Sequence, residues 1–304
     1  MRISFLIAAH SHPELLARLV KRLEDPDASI FVHIDKAVDL RPFKAAMLDQ
    51  GVGNFFWVPR VRSGWARFGQ VKASLSLLRT ALAQDHTSER FILLSGQDYP
   101  LLSPARIAAF FESKPGVNFI ECFPLPWERW SDSGGLGRLQ RFHFALGSRR
   151  FKYPSEQLPN SRLIRAVYPI CRLFLPETRK LPENFTFYGG ANWWSLTRDA
   201  ASASLEFVRR HPDFSKSFYF SKSSDEIFFQ TALMHTGPWE MDSDHLRCVF
   251  WDGRRNEHPA LMRLEDFDEI QRSGKLFVRK VDPLQSAALL DRIDHDLLMV
   301  KPAT

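Results

Sequence analysis

The sequence predicts an α/β fold, a mostly parallel central sheet flanked by helices. Two observations carry this. Over roughly the first 121 residues, apolar runs of strand length alternate with segments whose apolar residues recur at helical spacing. The chain is also long enough, at 304 residues with 44% hydrophobic and 13% aromatic content, to cover both faces of a sheet. That content excludes a disordered chain. Three cysteines without a CxxC pair exclude a disulfide-built miniprotein and argue against a thiolate zinc site.

The elements follow in order. Ile3–Ala9 is a mainly apolar run of strand length. Pro13–Leu23 sets Leu15, Leu16, Leu19, Val20 and Leu23 on one helical face. Ser29–Ile34 is a second strand, and Gln70–Leu82 repeats Val71, Leu75, Leu78 and Leu82 at helical spacing. Phe91–Leu94 is a third strand, and Ser103-Pro104 pairs an N-cap with a proline at the first helical position. Val117–Glu121 is a fourth strand. Residues 122–185 break this rhythm with seven prolines and many Arg and Trp, so an irregular, partly helical segment is expected. Regular structure resumes at Phe187–Leu196. Helices are expected near Arg198–Arg210 and Ser224–His235, strands at Leu246–Trp251 and Leu276–Arg279, and a helical stripe of Leu290, Ile293 and Leu297 closes the chain. The whole of 1–304 is expected as one domain.

Lys and Arg exceed Asp and Glu by 41 to 35, a net charge of +6. This points to an anionic partner: a phosphate-bearing substrate, an anionic lipid surface or nucleic acid. The arginines are scattered and no RNP, KH or helix-turn-helix signature occurs, so nucleic acid is not expected. Three scattered thiols suit a reducing compartment. With no signal-peptide pattern and no apolar run of spanning length, the expectation is a cytoplasmic chain, with peripheral contact to the inner face of a membrane as its variant.

No GxGxxG follows the first strand, where Ala8-Ala9-His10-Ser11-His12 stands, and no GxxxxGK[ST] loop or GxSxG elbow occurs. Chemistry must therefore come from residues at strand ends, where open α/β sheets bind ligands. Asp98 ends the third strand, as a turn aspartate or as a lone ligand-facing acid. Asp35 ends the second, either accepting from a ribose or base or forming a surface ion pair. The pairs Asp25/Asp27, Asp242/Asp244, Asp266/Asp268 and Asp294/Asp296 have Asp-x-Asp spacing, but none follows an apolar strand, so solvated turns or helix faces are expected and no metal site. Glu226 stands at a helix start, suited to dipole compensation or to work as a general base. Arg247 and Lys280 sit at strand ends, as ordinary surface cations or as a clamp on a diphosphate.

Seven blocks, in order along most of the chain, resemble the Core-2/I-branching β-1,6-N-acetylglucosaminyltransferase and peptide O-xylosyltransferase family. They are Phe31–Lys36 (FVHIDK), Ser63–Gln70 (SGWARFGQ), Leu93–Leu101 (LLSGQDYPL), Tyr188–Arg198 (YGGANWWSLTR), Ser224–Thr231 (SDEIFFQT), Leu246–Asp252 (LRCVFWD) and Lys275–Asp282 (KLFVRKVD). The disulfide-forming cysteines and membrane anchor of animal relatives are not expected, so the chain resembles a compact bacterial-type member.

The resemblance implies a GT-A-type, Rossmann-like fold and metal-independent, inverting transfer of a sugar, GlcNAc first, from a UDP-sugar to a hydroxyl of a glycan or other acceptor, with no cofactor. It makes Glu226 the base and sets Arg247 and Lys280 on the diphosphate. It places Ala9, Asp35, Trp65 and Asp98 around the donor, Asp35 on the uracil side. Trp193 and Trp194 are set to stack on a sugar, and Glu121, Trp127 and Arg138 fall on the acceptor side. It further implies a donor-binding part over about 1–121, an acceptor-side segment over about 122–185, and a catalytic part over about 186–304. Two alternatives stay open: a UDP-xylose-dependent transferase of the same fold, and a non-catalytic glycan-binding protein.

Overall fold

A computed structural model describes residues 1–64, 67–146, 149–155, 161–254 and 259–300. Its strands are β1 (Ile3–Ala9), β2 (Ala28–Ile34), β3 (Phe56–Trp57), β4 (Arg90–Ser95), β5 (Asp98–Pro100), β6 (Asn118–Ile120), β7 (Phe123–Pro124), β8 (Phe142–Leu146), β9 (Arg149–Tyr153), β10 (Tyr188–Gly189), β11 (Trp194–Thr197), β12 (Met241–Asp242), β13 (Arg247–Val249) and β14 (Phe277–Arg279).

Seven of these form the central sheet, in the order β12-β6-β11-β4-β1-β2-β3. β1 pairs in parallel with β2 and β4, β2 with β3, and β6 with β12. Only β11 runs against its neighbours β4 and β6. The sheet is thus mostly parallel, as expected, and helices cover both faces.

Side-chain alternation divides the core. Phe5 and Ile7 of β1, Ile30 and Val32 of β2, and Ile92 and Leu94 of β4 pack on one face with helices Pro13–Leu23, Arg41–Asp49, Pro104–Glu112 and Ala287–Asp296. Leu6, Phe31, Phe91 and Leu93 point the other way, against helices Phe68–Gln84, Arg198–Arg210 and Phe228–Met234.

The expected helix over 224–235 is two pieces. Ser224–Glu226 is a single 3₁₀ turn entered through Ser223 at φ 49°, and the α-helix starts only at Phe228. The expected strands near 246–251 and 276–279 are three residues each and never join the central sheet. β13 and β14 pair in parallel, and β14 pairs antiparallel with β5. The prediction omitted the helix Arg41–Asp49, whose buried residues are only Phe43, Ala46 and Met47, too few for a clear stripe.

Within the irregular segment, β8 and β9 form a hairpin, followed by the helix Arg162–Phe174. They close over a small cluster of Phe142, Tyr153 and Cys171. Asp294 also departs from expectation. Instead of lying on a solvated face it is buried, accepting from Tyr99 Oη at 2.7 Å, Arg22 at 2.7 Å and Arg18 at 2.8 Å.

Candidate functional site

The carboxyl ends of β1 and β4 open into a cavity of about 570 Å³. Ala9 and His10 line it from β1, and Ser95, Gly96 and Gln97 from β4. Gly96 is small for a reason: a Cβ there would stand 2.8 Å from Ala9 Cβ. Because β11 is antiparallel, the loop entering it reaches the same edge, bringing Ala191, Asn192 and Trp193 into the wall. Asp225 and Glu226 face the cavity from the 3₁₀ turn, and Arg279 and Lys280 from the end of β14.

Glu226 sits in the wall with its side chain about one-third exposed, and its Oε2 accepts from Arg138 Nη1. The Arg138 guanidinium lies 3.8 Å from the centre of the Trp130 ring. The irregular segment therefore delivers a cation to the expected base. The main chain is fixed as well: Gly190 N donates to Glu226 O at 2.9 Å. Next to it, Ala191 N donates to Glu121 Oε2 at 2.7 Å, and Gln230 Nε2 donates to Ala191 O at 2.7 Å. Glu121 thus holds the wall loop. Among the described residues neither Glu121 nor Arg138 lines the cavity itself.

Asp225 precedes Glu226 in the same 3₁₀ turn. Its carboxyl is buried, with Oδ1 lacking a hydrogen-bond partner, and burial together with the neighbouring Glu226 charge pushes it up to about 7.

Lys280 lines the cavity, but Arg247 does not. Arg247 is 2% exposed, and its two terminal nitrogens donate to the carbonyls of His245 and Leu93. Burial lowers its guanidinium to about 10. The cation beside Lys280 is instead Arg279, which sequence reasoning missed although it directly precedes Lys280. β14 pairs Arg279 with Asp98, and Arg279 Nη1 bonds Asp98 Oδ1 at 2.9 Å and also donates to Ser95 Oγ. Asp98 is fully buried and accepts from Ser95 N at 2.7 Å, so it anchors Arg279 rather than facing a ligand. Both guanidiniums approach the Trp193 ring, Arg279 at 4.5 Å and Arg247 at 5.1 Å.

Asp35 does not line the cavity either. It accepts from the backbone of Ala37 at 2.8 Å and of Ser63 and Gly64 at 3.2 Å, and from Ser63 Oγ. Burial opposes its ionisation, but these donors outweigh it and hold the carboxyl below its usual range. Its work is to shape the loop that carries Ser63 to the cavity. Trp65 lies outside the described residues.

Trp194 corrects the expectation of a stacking platform. It is fully buried, 5.1 Å from the Phe229 ring, and unable to meet a sugar. Trp127 packs on Phe123 at 3.8 Å, away from the cavity wall. Trp193 alone of the two adjacent tryptophans is at the site. The sequence also gave no reason to single out His10, His33, His245 or Trp251, which line the cavity. His33 Nε2 accepts from Val61 N at 3.0 Å, and burial drives its imidazole down to about 4, so it is neutral at pH 7. No cluster of His, Cys, Asp or Glu suited to a metal ion occurs among the described residues. The cavity therefore joins a cationic wall at Arg279 and Lys280 to an acidic one at Asp225 and Glu226.

A family model described as Core-2/I-branching enzyme matches residues 3–272. Among similar proteins are xylosyltransferase 1 of Canis lupus familiaris, 22% identical over all of this chain and 31% of its own length, and the β-glucuronosyltransferase GlcAT14B of Arabidopsis thaliana, 24% identical over 98% of this chain and 66% of its own length. A third is a β-1,3-galactosyl-O-glycosyl-glycoprotein β-1,6-N-acetylglucosaminyltransferase 4 of Danio rerio, 22% identical over 65% of this chain and 42% of its own length. The chain spans about a third of the xylosyltransferases it matches.

Proposed function

The chain belongs to the Core-2/I-branching enzyme family, and on that premise we propose that it is a glycosyltransferase moving a sugar from a UDP-sugar to an acceptor hydroxyl by one inverting displacement, without a metal. The observation that carries the reading is the shared cavity at the carboxyl edge, cationic at Lys280 and Arg279 and acidic at Glu226.

The donor lies along the edge with its diphosphate at Lys280 and Arg279. The acceptor hydroxyl approaches Glu226, which removes its proton as the oxygen attacks C1. The bond from C1 to the diphosphate oxygen breaks, and UDP departs with the electron pair, its charge met by the two cations. Attack opposite the leaving group inverts the centre. Arg138 fixes the orientation of the base. Arg247 supports the floor from behind rather than gripping the phosphates. The relatives' names span xylose, glucuronate and N-acetylglucosamine transfer, so all three UDP-sugars belong in the test.

Labelled UDP-sugars are offered to wild type and to Glu226→Gln. Transfer or hydrolysis by wild type supports an enzyme, and a pocket that binds but never turns over makes it a glycan-binding protein instead. The variant is expected to lose about 10²–10⁴-fold in kcat while its UDP affinity stays within about threefold. Loss of UDP affinity in the variant would overturn the role of Glu226. EDTA is expected to leave the rate unchanged, and a strong drop would contradict metal independence.

A further inference from the structure

The helix Arg162–Phe174 buries one side and leaves the other without a partner among the described residues. Val167, Tyr168 and Cys171 turn toward the hairpin β8–β9 and its small cluster, and Ile164 is buried as well. On the opposite side Ile170, Leu173 and Phe174 are 56%, 78% and 75% exposed. Large apolar side chains this open, adjacent on one helix, mark a contact surface rather than scattered surface residues. The charge around them is mainly positive. Over Ser161–Lys180 the chain carries five cations, Arg162, Arg165, Arg172, Arg179 and Lys180, against the single acid Glu177. Arg162, Arg172 and Lys180 are exposed. At 13 residues the helix is about 20 Å long, too short to span a bilayer but suited to lie in its surface.

We propose that this helix docks the protein on an anionic lipid bilayer, its Ile170, Leu173 and Phe174 entering the headgroup–acyl boundary and its cations meeting lipid phosphates. The charge complementarity selects a lipid surface over an apolar protein partner: an apolar stripe edged by cations is the pattern of an interfacial helix. The same segment carries Arg138, the partner of Glu226, at its other end, so docking would bring the acceptor side of the cavity near the membrane surface.

The test is co-sedimentation of the full chain with extruded vesicles of phosphatidylcholine alone and of phosphatidylcholine with one-quarter phosphatidylglycerol. Binding to the anionic vesicles, weakened by salt, is expected, with little to the neutral ones. Leu173→Asp with Phe174→Asp should cut the bound-to-free ratio at least about tenfold, and Arg172→Glu should lower it on anionic vesicles only. Because all three side chains are exposed, the variants should melt with wild type, which separates lost docking from lost folding. Wild type left in the supernatant with anionic vesicles would overturn the proposal, as would equal binding by the double variant. So would a wild-type dimer that the double variant dissolves, because the stripe would then be covered by a second copy.

Discussion

Two adjacent carboxyls at the cavity wall have opposite surroundings. Glu226 meets Arg138, whereas Asp225 is buried with one oxygen unpartnered. A carboxyl raised to about 7 binds its proton more tightly folded than unfolded. The stability it contributes is therefore full below the ordinary aspartate range and is lost as pH climbs from about 4 to about 7. Asp225→Asn, which cannot ionise, should stabilise the protein by about 1–3 kcal/mol at pH 8 and change little at pH 4, read from melting curves at both. A uniform change at both pH values would mean that Asp225 does not carry the proton. The cations are separable in the same way. Lys280→Ala should lower kcat by about 10²–10³-fold with the fold intact. Arg247→Ala should act on stability, costing about 3 kcal/mol by orphaning the Leu93 and His245 carbonyls.

At the scale of elements, the site depends on short connections more than on long ones. The loop before β11 is pinned by Glu121, Gln230 and the Glu226 carbonyl, and a Cβ at Gly190 would stand 1.9 Å from Glu121 O. Gly190→Ala must therefore move the wall, and a fall in both melting temperature and kcat is expected. The last helix is clasped to the first by Asp294. Asp294→Ala would leave Arg18 and Arg22 without their shared partner, a loss of about 3 kcal/mol measurable by urea unfolding. Burial works against the Asp294 charge, but its donors hold the carboxyl below its usual range, so the clasp persists at neutral pH and fails only as pH falls through the acidic range. Elements with a strong stripe or run were legible in the sequence: Pro13–Leu23 and Arg198–Arg210 match to the residue. Strands were expected where β13 and β14 stand, but their pairing was not, nor was β5, because three-residue strands are defined by their partners and not by a local period. That is also why Arg279 was missed and Arg247 misplaced: which of two nearby cations faces the cavity is settled by a cross-strand register, Arg279 opposite Asp98.

For the whole molecule, the division of β1, β2 and β4 between two core faces leaves the carboxyl edge as the place where backbone ends meet solvent. Segments far apart in the chain converge there, among them those carrying Ala9, Gly96, Trp193, Glu226, His245 and Lys280. Motif order along the sequence foretold most of this convergence, but not how each side chain turns: Trp193, in the loop before β11, lines the cavity, whereas Trp194, the first residue of β11, is buried in the core. A ligand that binds only the folded chain raises its melting temperature with concentration, so a UDP-sugar series should rank donors by thermal shift, and inorganic phosphate should shift it far less than UDP. The most direct measurement is a crystal structure of the protein soaked with UDP. The diphosphate is expected within hydrogen-bond reach of Lys280 Nζ, beside Arg279 and facing Glu226 across the cavity. Phosphates bound away from Lys280, or UDP bound outside the cavity, would contradict it.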